Sequence, residues 1–64
     1  GALEPFLNHA SLERISEVRV VHGKGTGALM KGVRSYLTGH PLVAEFRTGE
    51  RFEGGDGVTV VTLR

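Results

Sequence analysis

Residues 22 to 27 read His-Gly-Lys-Gly-Thr-Gly and lie between a predicted strand and a predicted helix. Alternating glycines are costly unless the backbone must adopt unusual dihedral angles or approach another molecule closely. The first N–H groups of a helix have no partner within it, and the positive end of the helix dipole favours an anion there. Lys24 adds a positive charge and Thr26 a hydroxyl group. The pattern predicts a loop that contacts phosphate.

Two known glycine motifs do not fit this loop. A nucleoside-triphosphate P-loop ends in Gly-Lys-Ser/Thr at its helix, and this run does not. The dinucleotide fingerprint places its third glycine three positions after the second, whereas Gly27 follows Gly25 by two. The alternative that stays open is a tight strand-to-helix turn in which the glycines serve geometry alone.

His22 ends the predicted strand beside this loop. An imidazole can act as a general acid or base, or can hydrogen-bond a phosphate, and a purely structural role is the equal alternative. Basic residues follow on the next helix, where a solvated helix face is the alternative to phosphate contact. His22 is the catalytic candidate. The candidate nucleic-acid-binding residues are Gly23, Lys24, Gly25, Thr26, Gly27, Lys31 and Arg34.

Length and composition narrow the class of protein. Sixty-four residues allow one domain with a marginal core, and there is no cysteine to reinforce it. The formal net charge of +1 does not indicate nucleic acid, so any attraction to phosphate is local. The apolar runs are too short for a membrane span and no signal peptide fits, so we expect a cytoplasmic protein without a membrane partner.

Hydrophobic spacing predicts alternating helices and strands. They are a helix at residues 2–15, a strand at 17–22, a helix at 28–38, a strand at 42–47 and a strand at 58–63. Thr26 is the expected N-cap of the second helix and Gly39 the residue that ends it. Leu42, Ala44 and Phe46 are expected to share one face of their strand. The order predicts a two-layer α/β fold with a small mixed sheet covered by two helices.

The segment from Thr48 to Gly57 is a polar loop with four glycines, a length that is often functional or disordered. Glu50, Glu53 and Asp56 can in principle hold a divalent cation, but acids in such a loop usually only improve solubility. We therefore predict no metal site from the residues, and Mg²⁺ or Mn²⁺ stays an open question.

Taken together, these motifs resemble the Smr (small MutS-related) domain family. The run V-R-V-V-H-G-K-G-T-G-A-L, the helix ending Y-L-x-x-H-P-x-V and the tail E-G-G-D-G-V-T-V-V-T-L carry the resemblance, which covers nearly the whole chain from Leu3. The tail looks like that of Smr domains at the C-terminus of bacterial MutS-two proteins. The family's His-Gly-x-Gly motif falls on residues 22–25. Its tail loop adds Gly54 and Gly55 to the nucleic-acid-binding candidates.

The resemblance implies a single domain over residues 1–64, folded like the C-terminal domain of bacterial translation initiation factor three. It also implies an endonuclease that nicks DNA, with RNA cleavage in some relatives, within a homodimeric parent protein tied to suppression of homologous recombination and to ribosome rescue. The implied partners are DNA, branched DNA included, and RNA or the ribosome. The alternative is a non-catalytic DNA-, RNA- or ribosome-binding module.

Relatives of this type open with a strand that carries a Leu-Asp-x-His-like or Leu-Asp-Leu-Arg-Gly-like segment, and this sequence has none. We therefore expect an N-terminally truncated domain that binds nucleic acid with little or no cleavage by itself. We also expect an unpaired strand edge beside residues 18–21, which favours marginal stability or self-association.

Overall fold

The computed structural model describes residues 3–64. Within this range, helix α1 spans Leu3–Leu12, strand β1 Glu17–Val21, helix α2 Ala28–Leu37, strand β2 Val43–Thr48 and strand β3 Val58–Leu63, with single 3-10 turns at Arg51–Glu53 and Gly55–Gly57. The predicted start of the first helix at Ala2 lies outside the described residues. Neither helix of this range has the length and apolar character needed to cross a membrane.

The three strands form one sheet in the order β1-β3-β2. The predicted layer of two helices on a small sheet is confirmed, but the prediction of a mixed sheet is wrong, because both hydrogen-bonded pairs are antiparallel. Strands β1 and β2 do point the same way on either side of α2. However, the chain turns back after β2, and β3 lies between β1 and β2. The two parallel strands therefore do not pair with each other.

One face of the sheet packs against both helices. Along β1, Val18 and Val20 alternate with exposed residues and both face this layer. Each fully buried leucine or valine contributes about 1.5–3 kcal/mol relative to an exposed one, so a core this small is marginal. The buried members of this core are Leu7, Ala10, Leu37, Val43, Val61 and Leu63.

Strand β2 departs from the predicted face at Ala44, whereas Leu42 and Phe46 do pack against the core. A β-bulge between Val43 and Glu45 lets Val43 pair with Leu63 and Phe46 with Val61, so Val43 and Phe46 face the helices. Ala44 is exposed instead. Simple alternation fails here because a bulge adds one residue to one strand only.

The helix ends explain two further differences. Helix α1 ends at Leu12, three residues before the predicted end, and Arg14 turns the chain with a φ of 59°. The prediction of Thr26 as N-cap of α2 is wrong, because Gly27 holds that position with a φ of 86°. A threonine would be strained at that angle. Gly39 ends α2 with a φ of 76°, as predicted.

Strand β1 lies at an edge of the sheet, as expected for residues 18–21. The helix face of this edge is an open apolar groove of about 370 Å³ that includes Phe6, Val20 and Leu29. Leu29 is 63% exposed, and Leu37 is the fully buried residue of α2.

The polar loop after β2 folds over the opposite face of the sheet. Arg47 donates two hydrogen bonds to the Glu53 carboxylate, at 2.8 and 3.2 Å, and Arg19 lies 3.8 Å from it. Arg19 and Arg47 flank Val60 on the neighbouring strands, so the three charged side chains cover this valine, which is 1% exposed. We call Arg19, Glu53 and Arg47 the Glu53 clasp.

The clasp holds the loop in an ordered shape. Glu53 also accepts the N–H of Glu50 at 2.7 Å, which closes the first 3-10 turn. Gly54 has a φ of 114°, and a Cβ added there would collide with a methyl group of Val58. The loop therefore lies directly on the start of β3. The hydrogen bonds from Arg47 and from the Glu50 N–H lower the pKa of Glu53 from 4.5 to about 2.

Protonation of Glu53 should loosen the clasp. Because the pKa is lowered in the folded chain, the stabilisation is fully present above about pH 4.5 and is lost as the pH falls towards 2. We expect Glu53→Gln to lower the free energy of unfolding at pH 7, and its difference from the parent chain to shrink between about pH 5 and 2. Urea unfolding followed by circular dichroism measures this difference.

Glu45→Gln is the matched control for this titration. Glu45 lies on the same sheet face, one residue pair away from Arg47, and makes no ion pair within residues 3–64. Its substitution should leave the free energy of unfolding close to that of the parent chain. A destabilisation by Glu53→Gln that stays constant from pH 7 to pH 2 would contradict the clasp.

Candidate functional site

The loop of residues 22–27 joins the end of β1 to α2, as the sequence predicts. The N–H groups of His22 and Gly23 both donate to the carbonyl oxygen of Gly57, at 3.1 and 2.9 Å. A Cβ added at Gly57 would stand 3.5 Å from the backbone of Gly23, so these two segments of the backbone lie close together. We call this pair of hydrogen bonds the Gly57 junction. It fixes one end of the loop against the start of β3.

The middle of the loop leaves its N–H groups free. Those of Lys24, Gly25 and Thr26 have no acceptor in the described part of the chain, and all three residues are exposed. Gly23, Gly25 and Gly27 have φ values of 81°, 40° and 86°, a region that glycine enters without strain. The alternating glycines therefore create a backbone shape in which successive N–H groups can surround an anion.

The first turn of α2 continues this surface. The N–H groups of Leu29 and Met30 also lack an acceptor within residues 3–64, and that of Ala28 reaches only the Thr26 hydroxyl, at 3.4 Å. The positive end of the helix dipole lies here. A depression of about 470 Å³ covers the area and is lined by residues 24–27 together with Met30, Arg34, Thr48 and Asp56.

Arg34 brings a second cation to this depression. Its Nη2 donates to the Thr48 hydroxyl at 2.6 Å, which links α2 to the end of β2. Its Nε is buried and has no acceptor in the part of the chain that the structure describes. A buried donor without a partner is unfavourable, so an acceptor that enters beside it would be bound more strongly. A contact between Arg34 and a bound anion stays a prediction.

His22 is bound to protein through both ring nitrogens. Nδ1 lies 2.8 Å from the carbonyl oxygen of Gly23, which can only accept, so Nδ1 carries a proton. In the neutral ring, Nε2 then accepts from the hydroxyl of Thr59, at 2.9 Å. Thr59 is 0% exposed. No sequence motif singled out Thr59, although alternation along β3 places a polar side chain on the core face there.

Asp56 is a second residue that the sequence analysis did not place at the site. The Gly57 junction brings the second loop beside the first, and Asp56 lines the depression together with Lys24. Its carboxylate is negatively charged and repels a phosphate, so it restricts where on this surface a phosphate can lie. The E-G-G-D-G tail gave no signal for this contact, because the contact depends on how the two loops meet.

Three predicted binding residues lie apart from the depression. Lys31 is exposed on α2 and does not line it. Gly54 and Gly55 lie in the second loop, where their N–H groups donate to the carbonyl oxygens of Arg51 and Glu50. The two glycines thus shape the loop that carries the Glu53 clasp. A direct contact between these three residues and nucleic acid stays a prediction.

The acidic residues of the second loop do not converge on one point. Glu53 is held by Arg47 and Arg19, and the described residues contain no group of three or more His, Cys, Asp or Glu side chains placed to hold a metal ion. The Glu53 carboxylate is therefore already paired with two cationic side chains.

Comparison with known proteins connects this geometry to a family. The family model of the Smr domain matches residues 1–64. The chain is 52% identical over 62 residues to an endonuclease MutS2 of Lachnospira eligens, covering 97% of this chain and 8% of that protein. It is 50% identical over 62 residues to an endonuclease MutS2 of Staphylococcus aureus, covering 97% and 9%. The chain thus spans under a tenth of these relatives' length.

A solved structure agrees with the sequence matches. The crystal structure of the Smr domain of Thermus thermophilus MutS2 superposes with a TM-score of 0.94 at 41% identity, covering 98% of this chain and 79% of that one. The two-layer fold and the family match over the full length lead to one conclusion. This chain belongs to the Smr domain family.

Proposed function

We propose that this chain is the nucleic-acid-binding part of a DNA-nicking endonuclease domain. The observation that carries the proposal is the row of free N–H groups on Lys24, Gly25 and Thr26, continued by Leu29 and Met30 at the positive end of α2. Such donors suit the oxygens of a backbone phosphate. The relatives' name, endonuclease MutS2, supplies the reaction class, which is hydrolysis of phosphodiester bonds.

Charge near the loop supports a backbone contact. Lys24 and Arg34 line the same depression as the free N–H groups, while the whole chain is nearly neutral at +1. Attraction to a polyanion is therefore concentrated at the loop. Contacts to phosphate fix position but carry no sequence information, so the bound sequence should matter little.

The same groups suit hydrolysis of the bound phosphodiester. N–H donors that are already in place stabilise negative charge as it develops on the phosphate, and Lys24 adds to this effect. His22 is the group next to the loop that can move a proton. In this proposal the loop holds the phosphate and His22 activates the attacking water.

We extend the proposal to a longer protein that contains this chain as one part. The relatives are roughly ten times longer than this chain, so their other parts can select the substrate and the partners. We propose that the chain acts in the cytoplasm within a homodimeric protein on DNA, branched DNA included. Suppression of homologous recombination, and a role on RNA or in ribosome rescue, are the processes that such a protein would serve.

A non-catalytic binding module is the second candidate, and one observation favours it. Both ring nitrogens of His22 are engaged by protein, with Gly23 and with Thr59. An imidazole in this state has no free lone pair for water. Under this reading the loop holds a phosphate for position only.

Lys24 should contribute to the salt dependence of duplex binding. We expect Lys24→Ala to weaken binding of a short duplex and to make the slope of log K against log salt concentration shallower by about 1. Fluorescence anisotropy with the 64-residue chain over a salt series measures both. Arg64→Ala removes one charge beyond the far end of β3 and is the control. Equal slopes for all three proteins would rule out Lys24 as a phosphate contact.

His22 should separate the two candidates. Nicking of supercoiled plasmid is measured in a chimera, in which this chain replaces the matching 62 residues of the Staphylococcus aureus endonuclease MutS2. We expect His22→Ala to abolish nicking while the dissociation constant stays within about threefold, because loss of a general base lowers the rate by about 10²–10⁴-fold. His9→Ala is the control, because His9 is an exposed residue of α1. A chimera that binds DNA without nicking supports the binding module instead.

A further inference from the structure

We infer that Thr59 is the positioning residue of His22, and that Nδ1 of His22 is the nitrogen that meets the substrate. The inference rests on the proposed nuclease function. It follows from a difference between the two hydrogen bonds of the ring. The partner of Nε2 is buried, whereas the partner of Nδ1 belongs to an exposed residue that solvent or a ligand can replace.

The buried hydroxyl of Thr59 has one partner in the described chain, and that partner is His22. Thr59 lies on the core face of the central strand, opposite Val20 of β1 and Thr48 of β2, and is 0% exposed. A valine would fill this place in the core without needing a hydrogen bond. The hydroxyl is satisfied by Nε2 at 2.9 Å, so the polar residue fits the core only together with the imidazole.

The two sides of the ring face different surroundings. Nε2 points to a hydroxyl that no solvent or ligand reaches, so its partner cannot be exchanged. Nδ1 bonds the carbonyl oxygen of Gly23, an exposed residue next to the free N–H groups of the loop. A phosphate bound on Lys24, Gly25 and Thr26 would bring its attacking water to this side. Nδ1 is therefore the nitrogen that can exchange a protein partner for substrate.

A hydroxyl can hold Nε2 in either protonation state, because it both donates and accepts. In the resting ring Nδ1 is protonated and the Thr59 hydroxyl donates to Nε2. When substrate displaces the Gly23 oxygen, solvent at the half-buried ring takes the proton of Nδ1 and supplies one to Nε2. In this working ring Nε2 donates to the Thr59 oxygen and Nδ1 has a free lone pair. Nδ1 then takes a proton from water as the water oxygen bonds phosphorus. The leaving oxygen keeps the electrons of the broken P–O bond and takes a proton from solvent, to which Nδ1 afterwards returns the proton it took.

Nitrogen chemical shifts of the His22 ring test the inference without any substrate. In the parent chain we expect a single Nδ1–H tautomer, set by the Gly23 carbonyl, and an Nε2 shift that reports the hydrogen bond from the Thr59 hydroxyl. Thr59→Ser should keep both because the hydroxyl remains. Thr59→Val keeps the shape but removes the hydroxyl, so Nδ1 should stay protonated while the Nε2 shift moves to that of a nitrogen without a hydrogen bond. Thr62→Val on the same strand is the control and should match the parent. An Nε2 shift that is unchanged in Thr59→Val overturns the inference.

Nicking by the chimera gives the second readout. We expect Thr59→Val to lower kcat roughly tenfold to a hundredfold, with KM within about twofold, and Thr59→Ser to stay close to the parent. An equal fall in both variants would point to core packing and overturn the inference. Amide spectra and melting temperatures check that each variant is folded.

The two proposals fail in different ways. If His22→Ala leaves nicking intact, the catalytic role of His22 fails, whatever the ring shifts show. If His22→Ala abolishes nicking but Thr59→Val changes neither the Nε2 shift nor kcat, the proposed function stands and the role of Thr59 fails.

Discussion

One carbonyl oxygen, that of Gly57, accepts two successive N–H groups, and the rest of the site depends on this junction. It fixes the end of β1 to the start of β3 and leaves the next three N–H groups of the loop facing solvent. A glycine-rich loop that was free to move would lose conformational entropy on binding. The junction removes much of that cost, because the donors of Lys24, Gly25 and Thr26 are ordered before a phosphate arrives.

Strand β3 links this junction to both layers of the fold. Gly57 meets the first loop, Val58 lies beneath the second loop, and the next residue, Thr59, holds the ring of His22 from the core side. Because side chains alternate between the two faces of the strand, neighbouring residues of β3 contact different parts of the molecule. The Glu53 clasp stabilises this arrangement from the opposite face, since it holds the loop that ends at Gly57. Charges far from the phosphate loop thus help to set its geometry.

The sequence predicted what depends on local pattern. The apolar spacing located both helices and all three strands that residues 3–64 form, and the alternating glycines located the loop, because each signal lies within a few residues. Contacts between distant residues could not be predicted in the same way. Thr59 is 37 positions from His22, and Arg19 is far from Glu53, so neither pair leaves a local signal. The bulge at Ala44 and the insertion of β3 between the other strands likewise depend on pairing in the sheet.

Amide hydrogen exchange at the loop tests the central claim most directly. The account predicts that the N–H groups of Lys24, Gly25 and Thr26 exchange rapidly in the free chain and at least about tenfold more slowly when a short duplex saturates it. The N–H of Gly23 should be protected in both states, because Gly57 already accepts it. Protection of the three loop amides without duplex, or no change when the duplex is bound, would contradict the account.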